Sequence, residues 1–457
     1  MTPITCFKAY DLRGRIPTEL NEEVAWRVGR GYAQFLSPRR VVVGRDIRLS
    51  SAALTDALCR GLTDSGVDVD DIGICGTEGV YFATFHGGYD GGIMVTASHN
   101  PPDYNGMKFV REGSRPISGD NGLKEIQACA NAAVFPQPVR QGLRRSVGMD
   151  EAYVAHLLSY VDLTRLKPLK IVVNAGNGGA GLVIDQLEPH LPFQFIKVHH
   201  EPDGRFPNGI PNPMLEENRA PTIAAIHASG ADFGIAWDGD FDRCFLFDGN
   251  GVFIEGYYIV GLLAEVLLRG EPGGRVVHDP RLTWNTREVV AAAGGQPVLS
   301  KSGHAFIKQV MRDVDGVYGG EMSAHHYFRR FAYCDSGMIP WLIVAQKICE
   351  SGRSLAQLVG ARMALFPASG ELNYRVPDAR AASAAIEAAY APQALSLDRT
   401  DGLSLEFPEW RFNLRSSNTE PLLRLNVEAR GSAALMRAKT DELLALLRTH
   451  GAVAADH

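Results

Sequence analysis

The sequence has no Cys-x-x-Cys pair. Its cysteines, at 6, 59, 75, 129, 244, 334 and 349, are scattered and odd in number. That excludes a zinc ribbon and a secreted disulfide scaffold, and points to reduced thiols in a cytoplasm. It has no basic block and a net charge of -6, so nucleic acid and anionic membrane are not expected partners. No apolar run reaches the ~20 residues of a membrane span. The longest, near Tyr257 to Leu268, carries Glu265. The opening Met1-Thr-Pro-Ile-Thr-Cys-Phe-Lys8 lacks the apolar h-region of a signal peptide. A soluble cytoplasmic protein is expected, and nothing separates a monomer from a dimer. What is present is ordinary globular composition, 45% apolar and 21% charged over 457 residues, which at roughly 150 residues each suggests about three domains.

Strands and helices alternate from the start. A helical pattern spans Glu22 to Leu36, a buried strand Val41 to Asp46, a helix Ser51 to Ser65, then strands at Asp71 and at Gly92 to Thr96. This alternation predicts a mainly parallel α/β sheet. A second unit starts near Asp150 with the strand Lys170 to Asn174. A third has a helix from Glu255 to Arg269 and the strand Arg275 to His278. From about Phe366 the composition shifts to an Ala-rich helix, Ala379 to Tyr390, then strands and a last helix from Ser432. The expected architecture is three consecutive α/β domains, 1–148, 149–250 and 251–366, followed by a smaller α+β domain, 367–457.

Polar loops follow several of these strands, where open parallel sheets carry ligands. Val95-Thr-Ala-Ser-His-Asn-Pro-Pro-Asp-Tyr-Asn-Gly-Met-Lys108 leaves a strand, so the Ser98 hydroxyl sits beside His99 on a loop. It either meets a ligand or caps a turn. Asp238-Gly-Asp-Phe-Asp-Arg243 places carboxylates at i, i+2 and i+4, on one side of an extended chain. Three such charges between buried segments need a counter-ion, and a Mg²⁺ takes oxygen ligands and a substrate phosphate; a solvated acidic turn is the alternative. Glu321, Ser323 and His325 alternate after a short strand. Arg415-Ser-Ser-Asn-Thr-Glu-Pro421 suits a phosphate nest or a hydrophilic hairpin. Gly176-Asn-Gly-Gly-Ala-Gly181 matches a dinucleotide fingerprint, with Glu201 about twenty residues on, yet such glycines also serve helix–strand packing. Pro202 to Pro213 is dense in turn formers and reads as a loop.

Thr96-Ala-Ser-His-Asn-Pro with Asn105-Gly-Met-Lys108 resembles the phosphoserine loop of the α-D-phosphohexomutases. Within that superfamily the sequence is most similar to the bacterial phosphomannomutase/phosphoglucomutase group. Tyr10-Asp-Leu-Arg-Gly14, the Asp238 loop, Gly320-Glu-Met-Ser-Ala-His325 and the Arg415 loop resemble further motifs of it. The resemblance implies four domains around a central cleft and reversible conversion of mannose 6-phosphate and mannose 1-phosphate, with some glucose phosphate activity. It implies that Ser98 carries a phosphoryl group, with Mg²⁺ on Asp238, Asp240, Asp242 and that group. Arg13 and Arg243 would neutralise charge, and His325, His99 or Lys108 would shuttle a proton. Tyr10, Arg281, His304, Glu321, Ser323 and His325 would line the sugar site, and Arg415, Ser417, Asn418 and Thr419 would hold the other phosphate. A hexose 1,6-bisphosphate would be intermediate and activator. Two departures stand out: Ala324 replaces the usual Gly, and Arg281 stands where some relatives have Lys. A Ser-dependent metal phosphatase, a non-catalytic sugar-phosphate binder, phosphoglucomutase and phosphoglucosamine mutase remain as alternatives; the last usually has Gln where Met322 stands.

Overall fold

The computed structural model describes residues 2–416 and 422–455. It divides into two compact units, residues 1–253 with 330–352, and residues 254–329 with 353–457.

The first unit holds two sheets. In one, the order is Leu12–Arg15, Tyr104–Arg111, Gly91–Val95, Arg40–Arg45, Asp68–Ile74, Arg144–Ser146, with Arg115–Ile117 beside Tyr104–Arg111. The inner strands Gly91–Val95, Arg40–Arg45 and Asp68–Ile74 are parallel, while Tyr104–Arg111 runs antiparallel to both its main neighbours. Val41, Val42 and Val43 are fully buried, as a strand covered on both faces requires. Each such side chain contributes about 1.5–3 kcal/mol relative to exposure. The helix Glu22–Leu36 begins where Asn21 accepts the Val24 N–H and ends at Ser37 in the left-handed region.

One strand departs from the sequence reading. The sequence reading has no strand at Tyr104–Arg111 and treats the stretch from Val95 to Lys108 as polar chain leaving a strand. Met107, Phe109 and Val110 are buried there, and the strand pairs with Gly91–Val95 along its length. Ser98 therefore sits on the connection between two antiparallel strands.

In the second sheet of this unit, Phe233–Trp237 is parallel to Lys170–Asn174, which is parallel to Gln194–Val198; Cys244–Asp248 returns antiparallel. The helix Ile339–Ser351 also belongs to this unit, and its Trp341 meets the rings of Phe193 and Phe195 edge-on.

The second unit also holds two sheets. Gln296–Leu299, Arg275–His278 and Tyr318–Gly320 are parallel, and His326–Phe328 returns antiparallel. The other sheet is antiparallel throughout, in the order Ser396–Asp398, Leu403–Glu406, Trp410–Ser416, Leu422–Ala429, Leu372–Arg375, Val453–Ala454. Helices Ala379–Tyr390 and Ala433–Thr449 cover it through Ile386, Leu443 and Leu447. These are the mixed α/β sheets and the α+β sheet expected. No described helix is long and apolar enough to cross a membrane, and no described cysteine is in a disulfide.

Candidate active site

Two clusters of functional side chains form, one in each unit. The first is centred on Ser98, which follows Gly91–Val95 with φ of 49°. Its N–H donates to Thr96 Oγ1 at 2.9 Å, and its hydroxyl donates to Asp238 Oδ2 at 2.9 Å. Gly239 makes this approach possible: a Cβ there would lie 2.5 Å from the Ser98 carbonyl oxygen.

Asp238, Asp240 and Asp242 are all buried, and each offers an oxygen within 4.8 Å of the others. They converge because residues 238–243 turn between the antiparallel strands Phe233–Trp237 and Cys244–Asp248, with Phe241 at φ of 44°. The sequence reading placed them on one side of an extended chain; the turn brings them together instead.

Lys108, opposite Met94 in register, reaches Asp240 Oδ2 at 2.7 Å and Asp242 Oδ2 at 2.6 Å. Burial favours the neutral amine, but the two carboxylates outweigh it and hold Lys108 well above its ordinary value. Burial likewise pushes Asp240 up, and the charge and hydrogen bond of Lys108 bring it below the usual carboxylate range. Thr77, which opens the helix Thr77–His86, donates its hydroxyl to Asp240 Oδ2 at 2.5 Å and its N–H to the Asp240 carbonyl at 3.1 Å. Asp240 Oδ1 is buried with no hydrogen-bond partner among the described residues. An all-oxygen set of three carboxylates with an uncommitted buried lone pair fits a hard divalent cation.

Arg243 donates through Nε to Asp238 Oδ2 at 2.9 Å and also contacts His99 Nδ1. That nitrogen lies 3.1 Å from Ser98 Oγ. Partial burial, then the charges of Arg243 and Arg13, push His99 well below its usual value. Arg13 bonds Asn100 Oδ1 at 2.5 Å and Asp11 Oδ2 at 2.6 Å, so it holds the far side of the Ser98 loop. Tyr10 is half-buried just before the strand Leu12–Arg15.

Arg48 was not singled out in the sequence. It is buried and donates to the carbonyls of Ser98, Asn100, Pro101 and Tyr104 at 2.6 to 3.1 Å. One guanidinium thus fixes the backbone from Ser98 to Tyr104. The turn-rich segment 202–213 backs it: Gly204 bridges to Arg48, and the Phe206 ring centroid lies 5.1 Å from its guanidinium carbon.

The glycine-rich turn 176–181 is filled by protein. A Cβ on Gly176 would meet Pro211 at 2.3 Å, one on Gly178 the Gly239 carbonyl oxygen at 2.9 Å, and one on Gly181 the His200 carbonyl oxygen at 2.3 Å. Those glycines seat the acidic loop and its surroundings, which favours packing over a dinucleotide cradle.

The second cluster centres on Arg281, which is buried and reaches Asp279 at 2.8 Å, Ser323 Oγ at 3.2 Å, and Glu321 and Glu371 at 3.3 Å each. Glu321 also accepts from Tyr327 at 2.6 Å and from the Gly303 N–H at 2.8 Å. Glu321, Ser323 and His325 were expected to alternate on an extended segment. They lie on a tight turn, closed by the Glu321 N–H to the His325 carbonyl at 3.0 Å. Ala324 in that turn has φ of 68°, the conformation a Gly would adopt freely, at a cost of about 1–2 kcal/mol. His325 stacks on Tyr327, and His304 opens the helix His304–Asp313. Arg415 is buried on Trp410–Ser416 and reaches Glu371 at 3.2 Å. Ser417, Asn418 and Thr419 lie outside the described residues.

Comparison with known proteins agrees with this construction. Four phosphoglucomutase/phosphomannomutase family models match, alpha/beta/alpha domain I at residues 5–137, domain II at 151–251, domain III at 255–366 and the C-terminal domain at 371–445. The chain belongs to the phosphoglucomutase/phosphomannomutase family, the α-D-phosphohexomutases, and is an enzyme of the isomerase class. Within the family its similarity is to the bacterial phosphomannomutases. It is 62% identical over 457 residues to a phosphomannomutase of Salmonella montevideo, covering 98% of this chain and all of that one. It is 63% identical over 447 residues to phosphohexose mutases of Xanthomonas campestris pv. campestris (strain B100), covering 97% and 99%. The crystal structure of a phosphoglucomutase/phosphomannomutase family protein from Burkholderia thailandensis superposes with a TM-score of 0.89 at 33% identity, covering 100% and 99%.

Proposed function

We propose that this protein interconverts mannose 6-phosphate and mannose 1-phosphate in the cytoplasm, with Ser98 as phosphoryl carrier. The observation that carries the reading is the Ser98 hydroxyl bonded to Asp238 inside a buried triad of carboxylates. Mg²⁺ on Asp238, Asp240, Asp242 and the Ser98 phosphoryl group would neutralise charge on that group. The rest of the reaction falls to side chains. The Ser98 O–P bond breaks as a sugar hydroxyl oxygen bonds to phosphorus, and the hydroxyl proton passes to a base. The resulting hexose 1,6-bisphosphate turns and returns its other phosphoryl to Ser98. The same bisphosphate, added from outside, would activate an enzyme whose Ser98 is bare.

Such transfer needs positioning and charge neutralisation above all. Arg48 fixes the loop, Arg243 and Arg13 flank it, and Lys108, held charged by Asp240 and Asp242, suits a counter-charge better than a base. His99 and His325 are the proton shuttles. Tyr10, Arg281, His304, Glu321 and Ser323 bind the sugar, and Arg415 with Ser417, Asn418 and Thr419 the non-reacting phosphate.

Glu321 and Ser323 meet the 3- and 4-hydroxyls, where mannose and glucose agree. A position left unread discriminates weakly, whereas a hydrogen-bonded one rejects altered analogues by ~10⁴–10⁵. Mannose 1-phosphate is preferred, glucose 1-phosphate is measurably turned over, and 4-epimers lose most. Comparing kcat/KM across these sugars tests this, and a glucose penalty above roughly 10⁴ refutes it. Release of inorganic phosphate in place of a sugar phosphate isomer would instead favour the phosphatase alternative.

A further inference from the structure

Glu371 is a single carboxylate shared by three arginines. Its Oε2 lies 3.3 Å from Arg281 and 3.2 Å from Arg415, and its Oε1 lies 3.1 Å from Arg424. The Glu371 side chain is almost completely buried. Burial pushes its carboxyl up, but the charges of Arg281, Arg424 and Arg415 outweigh that and hold it below the usual range. Arg415 in turn is lowered by burial and by the like charge of Arg281, with Glu371 opposing. Asp279 and Glu321 also contact Arg281. Among these described residues, three guanidiniums therefore face three carboxylates, so their positive charge is already matched before a dianion arrives.

We propose that Glu371 is a resident counter-anion of this cluster: it holds Arg281, Arg415 and Arg424 on one point and competes with an incoming phosphate for them. It limits how tightly phosphate is held, and so favours its release. The inference rests on Arg415 being a phosphate ligand. Its sign is opposite to that of a structural support, whose loss weakens binding.

The test uses inorganic phosphate as probe, titrated by calorimetry into the full-length protein and its variants, together with KM for mannose 1-phosphate. Glu371→Gln is expected to bind phosphate at least about tenfold more tightly, because one like charge a few ångströms away at a protein-like dielectric opposes the anion by more than that factor. KM should fall with it, and kcat should not rise. Glu371→Asp keeps the charge but draws it back by one methylene. It is expected to tighten binding by a smaller factor, and it serves if the Gln variant does not fold. Unchanged or weaker binding in a folded variant overturns the proposal while leaving Arg415 as a ligand, provided Arg415→Ala still weakens phosphate. If Arg415→Ala leaves phosphate binding unchanged, both the reading of Arg415 and this proposal fall.

Discussion

Glu78 offers a stringent test of how the acidic loop is supported. It is fully buried in the helix Thr77–His86 and accepts from the Gly337 N–H at 2.6 Å, the Met338 N–H at 3.3 Å, and the Tyr153 hydroxyl. Gly337 presses on the acidic loop: a Cβ there would lie 2.3 Å from the Phe241 carbonyl oxygen, and its own carbonyl accepts from Trp237 Nε1 at 2.8 Å. Burial pushes the Glu78 carboxyl from its ordinary 4.5 up to about 8. The unfolded chain gives up this proton near 4.5 and the native chain near 8. The stabilisation is thus full below the lower value, shrinks as pH rises between the two, and is gone above about 8. From pH 6 to 9 the loss is roughly 3 kcal/mol, about two units at 1.36 kcal/mol each.

Glu78→Gln keeps a carbonyl acceptor for Gly337 and cannot ionise. It should cost no more than about 1 kcal/mol at pH 6, the scale of one neutral hydrogen bond, and should lose the pH dependence. Hydrogen exchange of peptides within 330–352 reads this opening without requiring the whole chain to unfold as one unit. Intrinsic exchange cancels in the ratio of wild type to variant at each pH. That ratio should move by about a hundredfold between pH 6 and 9, the equivalent of the 3 kcal/mol above. A ratio that stays constant refutes the argument, because the carboxyl would then be charged, or uncoupled, throughout the range.

Ser98→Ala should abolish turnover, and peptide mapping after incubation with a hexose 1,6-bisphosphate should find phosphate on Ser98; undiminished turnover in the variant rules it out as carrier. Chelation should stop turnover and Mg²⁺ restore it, and Mg²⁺ should raise the melting temperature by relieving repulsion among Asp238, Asp240 and Asp242. A fully active, metal-free preparation excludes the site. Arg415→Ala should weaken substrate binding by about 1.5–3 kcal/mol, the worth of a hydrogen bond to a charged group, and unchanged KM and kcat would remove it from the site.

The acidic triad was legible because apolar strands on both sides argue against a solvated turn. Ser98 was legible by its place at a strand end. Lys108 was named, but its anchorage between two carboxylates was not foreseen, because Asp240 and Asp242 lie 132 and 134 residues further along the chain. The turn at Glu321 was read as extended because Ala324 gives no sign of positive φ; a Gly there would have signalled it. Arg48 and Glu371 left no local signal at all. Arg48 reaches carbonyls fifty or more residues away, and Glu371 meets arginines from 44 to 90 residues away.

That difference has a physical basis. A residue whose chemistry is expressed by its neighbours in the chain can be read from spacing. One whose partners are backbone carbonyls, or charges from other strands, acquires its role only when the sheets are formed. Ser98 shows both sides at once. Its hydroxyl was identified from its own loop, yet its orientation depends on three residues from two distant elements: Asp238 accepting its hydrogen bond, Gly239 leaving room for its carbonyl, and Arg48 clamping that carbonyl and three more. Removing Asp238 or Arg48 therefore alters the presentation of Ser98 without touching the motif in which it was recognised.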